Sequence, residues 1–298
     1  MAQYRAHFDA RVEFANGGDL IANGFRLDLP SADAAVETLF VQHLGLALVS
    51  SVELTNLVVV EEPHKGSRGV PVSTSSITGK LVDLSHTIRE GLITYPGLPA
   101  PVFTPHLTRS DSRAKYAPGT EFAMDIITMI GNTGTYIDSP FHRYEGGADL
   151  AGLSLATLVD QPAEVFHLED SLERGIPASV FHDRSLTGKA VLLHTGWDRH
   201  FGSPEYLIGS PFLTKDGADY LVSQRVSLVG IDSLNIDDTE SGGERPAHSA
   251  LLAAGIHVVE HLTNLGSLPP TGALFTAVPP KVEGFGTFPV RAFAKVGA

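Results

Sequence analysis

Residues 132–142 read N-T-G-T-Y-I-D-S-P-F-H, which sets a carboxylate, Asp138, four residues before an imidazole, His142. Both groups bind divalent metals and both move protons. The nearby Gly134 and Pro140 predict presentation from irregular backbone, where such chemistry concentrates. Two more residues of the same kind follow: His248, opening a predicted helix, and Glu260, closing the strand after Gly255. A residue that opens a helix and one that closes the next strand can meet at one end of an α/β layer. Asp138, His248 and Glu260 together make a hard, partly open set able to hold a reactive water. Taken as residue types alone, these groups also have plainer uses. Most histidines sit at the surface or in satisfied cores, Asp138 can form a turn, and Glu260 can be a strand-end carboxylate. His194, His200, His257 and His261 are assigned to structure, and the single Trp, Trp197, to a core or pocket wall.

The elements that must position these residues are legible as a small module and a larger domain. Residues 10–14 and 20–29 alternate like strands around the turn signal Asn16-Gly17-Gly18-Asp19. Ser31 is placed as the cap of a helix carrying Ala35, Val36, Leu39, Phe40 and Leu44 at helical spacing, and 56–62 returns as a strand. The result is a ββαβ module over 1–63 with no clustered titratable groups. Residues 64–78, small and Gly/Pro-punctuated, read as a linker. In the domain over 79–298, strands are expected at 81–88, 121–130, 163–168, 189–195, 226–231, 256–260, 274–279 and 289–294. Helices are expected at 214–224, capped by Thr214, and at 248–254, closed by Gly255. This mixture indicates an α/β (α+β) fold.

Composition excludes several functions. The chain has 298 residues, 43% hydrophobic, with a formal net charge of −13 and no Lys/Arg cluster, so nucleic acid is not an expected partner. No apolar run approaches the roughly 20 residues of a membrane span, and the first residues lack a signal-peptide pattern, so no membrane partner and a cytoplasmic location are expected. Cys is absent, which removes disulfides, thiolate nucleophiles and Cys-bound zinc. Any metal rests on His, Asp and Glu. No G-x-S-x-G elbow, G-x-G-x-x-G or P-loop is present, which argues against α/β-hydrolase, nicotinamide and nucleotide chemistry.

Residues 79–298 resemble the cyclase family of metal-dependent hydrolases, which includes kynurenine formamidase and isatin hydrolase. The family signature is H-x-G-T-H-x-D-x-P-x-H. Gly134, Thr135, Asp138, Pro140 and His142 match it, whereas Asn132 and Tyr136 stand where it has histidine. Ordered landmarks extend the likeness: Asp83-Leu84-Ser85-His86, Tyr95-Pro96-Gly97, Thr195-Gly196-Trp197-Asp198, Gly230-Ile231-Asp232, His248 with Leu251-Leu252, then Glu260 and Asn264-Leu265. The resemblance implies a swivelling β/β/α fold, assembly as a homodimer or homotetramer, and a small-molecule substrate with an amide, formamide or lactone bond. It implies Asp138, His248 and Glu260 as metal ligands and His142 as general acid and base.

The two departures weaken the family's two-ion arrangement. Asn offers only a neutral amide, and Tyr is a poor ligand unless ionised. One divalent ion, zinc or manganese, is therefore expected on Asp138, His248 and Glu260, with Asn132 and Tyr136 turned to the substrate. Tyr136 can instead fill the vacated volume, or donate to a developing oxyanion. A metal-free enzyme using His142, Asp138 and Tyr136, and a non-catalytic binder that keeps the pocket, are the competing readings.

Overall fold

Alternating apolar residues build the first sheet. The computed structural model describes residues 3–62 and 79–297, which fall in two compact units. In the first, β1 (Gln3–Phe14) and β2 (Asp19–Leu29) pair as an antiparallel hairpin, and α1 (Val36–Leu44) leads into β3 (Val49–Glu62) on the other side of β1. The hairpin turns through Gly17 and Gly18, whose φ of 85° and 95° favours glycine. Ala6, Phe8, Ala10 and Val12 share one face of β1 and are buried with Phe40 of α1. The helix starts at Val36 with Ala35 at the cap and no side-chain cap, rather than being capped by Ser31. The linker expected at 64–78 lies outside the described residues.

The second unit contains, in chain order, β4 (Lys80–Asp83), β5 (Val102–Leu107), α2 (Arg109–Ser112), β6 (Met124–Thr128), β7 (Tyr136–Asp138), β8 (Gln161–His167), β9 (Gly175–Ile176), β10 (Ala190–His194), β11 (Phe212–Leu213), α3 (Lys215–Ser223), β12 (Leu228–Ile231), α4 (Pro246–Ala253), β13 (His257–Glu260), β14 (Thr271–Thr276), β15 (Thr287–Pro289) and β16 (Phe293–Val296). Nine of these strands form one sheet, ordered β15-β7-β13-β12-β10-β8-β14-β16-β4. Its centre, β13-β12-β10-β8, is parallel, and antiparallel strands flank it. The central strands are short apolar runs because both faces are covered. Ala190, Leu192 and Leu228 pack on one side with Leu150 and Phe275. Val191, Leu193, Val229 and Ile231 pack on the other with Leu221 of α3 and Leu251 of α4.

Thr214 caps α3, accepting from the Gly217 amide, and α4 ends before Gly255 at φ 75°. The strand expected at 81–88 stops at Asp83, beyond which Ser85 makes one isolated bridge to Leu262. The strand expected at 289–294 is instead the end of β15, a gap and the start of β16. The chain there leaves β7 on one side of the sheet for β14 on the other. Asp138, expected on irregular backbone, closes a short buried strand. The parallel strands bring their carboxyl ends to one edge. Glu260, His194 and His167 are the last residues of β13, β10 and β8, and Asp232 directly follows β12. No helix among the described residues is long and apolar enough to cross a membrane.

His257, at the start of β13, is 4% exposed. The Thr157 hydroxyl donates to the Ser154 carbonyl, so its oxygen accepts from His257 Nε2–H at 3.1 Å. Nδ1 is buried with no partner, and burial lowers the pKa of this histidine to about 4. A histidine held neutral in the fold stabilises fully above its unfolded pKa of about 6.5 and loses that contribution as pH falls toward the folded value. His257→Gln keeps a donor for Thr157 without the titration. Its unfolding free energy, measured by urea with Trp197 emission, is expected to fall less than that of wild type between pH 7.5 and 4.5, by on the order of 2 kcal/mol. Parallel pH profiles for the two proteins would refute this.

Candidate active site

Strand β7 is three residues long, and its alternation decides what meets in the site. Tyr136 and Asp138 project to the same face because they are two apart. On one side Tyr136 lies opposite Glu260 of β13; on the other Asp138 lies opposite Thr287 of β15. Directly opposed residues of an antiparallel pair touch. Accordingly, the Tyr136 hydroxyl donates to Glu260 Oε2 at 2.6 Å, and the Thr287 hydroxyl donates to Asp138 Oδ1.

Thr287 has a single hydroxyl proton, given to an acceptor-only carboxylate. Its oxygen also lies 2.7 Å from His142 Nδ1, which must therefore be the donor. This fixes the tautomer: Nδ1 carries the proton and Nε2 is the bare, basic nitrogen. His142 ends the 3₁₀ turn Pro140–His142, which follows β7 after Ser139. Backbone contact holds this turn in place. A Cβ on Gly286 would stand 2.5 Å from both His142 N and Cα, and the Ser139 amide donates to the Gly286 carbonyl at 2.8 Å.

His248 enters from the first turn of α4, after Pro246 at its first position. The buried Asp237 carboxylate accepts from the amides of Ala247 (2.6 Å) and His248 (3.0 Å) and from His248 Nδ1 (2.7 Å). It thus caps the helix and aims the ring. The other nitrogen, Nε2, lies 3.5 Å from Asp138 Oδ2 and 3.6 Å from Glu260 Oε1. These are ion-pair separations, longer than a well-formed hydrogen bond, and Asp138 Oδ2 is buried without a hydrogen-bond partner. Burial works against charge on His248, but Glu260, Asp138 and Asp237 outweigh it and push its pKa up to about 10. Burial holds the Glu260 carboxyl above the usual range, against the pull of His248. Burial also raises the Tyr136 phenol, reinforced by the charges of Glu260 and Asp138, so Tyr136 stays protonated and donates.

Among the described residues, Asp138, His142 and His248 offer ligand atoms within 4.8 Å of one another, a set able to hold a metal ion. Glu260 reaches His248, but it is outside this set and its oxygens already accept from Tyr136 and the Ile236 amide. The residues fit one divalent ion: Asp138 has a free buried oxygen, and His248 is oriented through its far nitrogen as metal-binding imidazoles are. Asn132, Tyr136, His142, His248 and Glu260 all line one cavity of about 290 Å³, together with Arg143 and Arg245. Neither arginine pairs with a carboxylate among the described residues; Arg245 donates to the carbonyls of Asp238 and Glu244, and Arg143 to Ser249. Asp237, Thr287 and the two arginines escaped the sequence reading, since no spacing links them to the signature.

The Cyclase family model, described as "Putative cyclase", matches residues 82–238. The chain is 31% identical over 212 residues to a kynurenine formamidase of Geobacillus thermodenitrificans, covering 71% of this chain and 95% of that protein. It is 28% identical over 201 residues to an isatin hydrolase of Roseibium aggregatum, covering 60% and 76%. Among solved structures, one described as a potential metal-dependent hydrolase with cyclase activity aligns with a TM-score of 0.59 at 28% identity, covering 72% and 96%. Isatin hydrolase A from Labrenzia aggregata bound to benzyl benzoate aligns at 0.65 and 23% identity, covering 76% and 96%, a likeness of fold.

Thr287→Val removes the oxygen that fixes the His142 tautomer. Imidazole ¹⁵N shifts of His142 are expected to report Nδ1–H in wild type and in Thr287→Ser, and a mixture with Nε2–H in Thr287→Val; unchanged shifts in the valine variant contradict the relay. Tyr136→Phe strands Glu260 Oε2 and is expected to lower stability by about 1–3 kcal/mol, read from urea unfolding. A variant as stable as wild type would show that the phenol–carboxylate contact contributes little.

Proposed function

The chain belongs to the cyclase family, and from that premise we propose that it hydrolyses a small cyclic or N-acyl substrate at an amide or lactone bond, using one divalent ion. The observation that carries this reading is the buried Asp138 Oδ2, which lacks a hydrogen-bond partner and lies 3.5 Å from His248 Nε2. Three buried carboxylates, Asp138, Asp237 and Glu260, surround one buried imidazole, an excess of negative charge that a cation relieves. Asp138 and His248 would hold the ion, and Glu260, 3.6 Å from His248 Nε2, would complete the set through a lone pair that its hydrogen bonds to Tyr136 and the Ile236 amide leave free. When bound, zinc or manganese supplies Lewis acidity and brings the pKa of water down toward 7.

The chain's own groups then divide the remaining work. His142 Nε2 takes a proton from water and returns it to the leaving nitrogen or oxygen. Thr287 and Asp138 hold the imidazole in the tautomer this requires. Asp237 fixes the direction of His248. Asn132 and Tyr136 form the wall on the substrate side, where the phenol keeps Glu260 in place. Arg143 and Arg245 face the cavity with unspent charge, suited to the carboxylate that hydrolysis of either bond generates.

A metal-free reading has one observation in its favour. His248, already an imidazolium between two carboxylates, places a positive charge where an ion would sit. Metal analysis of wild type and His248→Asn, followed by a panel of N-formyl, lactone and ester substrates with and without chelator, separates the two. Metal-dependent hydrolysis lost on chelation, restored by zinc or manganese, and reduced about 10²–10⁴-fold in His142→Ala is expected. Activity that survives complete chelation but is lost in His142→Ala would establish the metal-free reading.

A further inference from the structure

A second cluster of metal-ligating groups lies along the same carboxyl edge of the sheet, on different strands. His167 ends β8 and His194 ends the parallel β10, and the two are in register. Their Nδ1 atoms face each other at 3.0 Å, with the rings nearly perpendicular. Glu169 Oε2 lies 3.2 Å from His194 Nδ1. The three residues offer ligand atoms within 4.8 Å of one another.

This convergence is poorly served by hydrogen bonding alone. When both imidazoles are neutral, a proton on His194 Nδ1 is shared between His167 Nδ1 and Glu169. A proton on His167 instead leaves two lone-pair atoms, His194 Nδ1 and Glu169 Oε2, facing at 3.2 Å. A cation engages all three donors at once. Ligand atoms about 2.0–2.1 Å from a tetrahedral ion stand roughly 3.4 Å apart, close to the separations seen here. His194 is also built into place: a Cβ on Gly266 would meet its ring at 3.0 Å, and the buried Asp232 carboxylate lies 4.0 Å from its Nε2. Glu169 also lines a cavity of about 310 Å³ with Thr195 and Trp197, so one side of the cluster opens onto space for a further ligand.

We propose that His167, His194 and Glu169 form a second metal site, an open two-histidine, one-carboxylate site for a borderline divalent ion of the zinc, cobalt or nickel class. It is separate from the Asp138–His248 set and does not depend on how that set works. Nothing in the spacing of 167, 169 and 194 shows that parallel pairing aligns them, so the sequence alone assigns His194 to structure.

Trp197, the only tryptophan of the chain, stands three residues after His194 on the cavity wall and reports on this site. Cobalt(II) titrated into the metal-depleted full chain is expected to quench Trp197 emission saturably, with visible absorption of an N/O-ligated ion. His248→Asn, which removes the other set, is expected to keep this quenching. His167→Gln, an exposed substitution, is expected to weaken it by at least the roughly tenfold that loss of even an outer-shell partner brings, with Glu169→Gln shifting it in the same direction. Circular dichroism confirms the fold of each variant. Quenching that is absent, that persists unchanged in His167→Gln, or that disappears in His248→Asn would overturn the proposal.

Discussion

The site depends on the register of β7. Three residues, clamped between β13 and β15, set Tyr136 against Glu260 and Asp138 against Thr287 in one step. A slip of one residue would turn Tyr136 and Asp138 to the opposite face and bring Ile137 into their place. The pairing is short, but Ile137 is fully buried in the core on the other side. A packed apolar residue therefore holds the register on which the polar face relies. His142 follows from the same constraint, because its turn begins two residues after the strand ends.

The exchange of two signature histidines for Asn132 and Tyr136 alters the logic of the buried charges. An imidazole in the position of Tyr136 would present a lone pair to a cation. A phenol presents a proton instead, and that proton goes to Glu260. Glu260 is thereby tied to its neighbouring strand, and Asp138 Oδ2 is left with only its ion-pair contact to His248 and no hydrogen bond. Asp237 makes the arrangement tolerable: three donors, two of them from the otherwise uncapped end of α4, satisfy its carboxylate.

Much of this was legible in the sequence, for identifiable reasons. The central strands are continuous apolar runs, and Thr214 and Gly255 carry local cap chemistry, so those elements lie close to where their residues indicate. The strand expected over 289–294 failed because Pro289 and Phe293 belong to different strands, and apolar character alone cannot mark where a chain changes neighbours. His248 and Glu260 stand out as residues that open a helix and close a strand, and Asp138 and His142 as matches to the family signature. Thr287 and Asp237 do not. Their roles arise from cross-strand register and from a carboxylate nine residues before a helix start, relations without a local signature.

The contact at Gly286 bears on how the site responds to a ligand. With no side chain there, β15 lies against the backbone of the turn that carries His142, without intervening atoms to compress or repack. The anchor of the imidazole cannot shift unless the sheet edge shifts with it. Arg143 and Arg245, bonded to a hydroxyl and to carbonyls rather than to a carboxylate, are the cavity side chains left to adjust. On the reading proposed above, the anchor of His142 is set by the fold, and discrimination between ligands falls to the arginine side of the cavity.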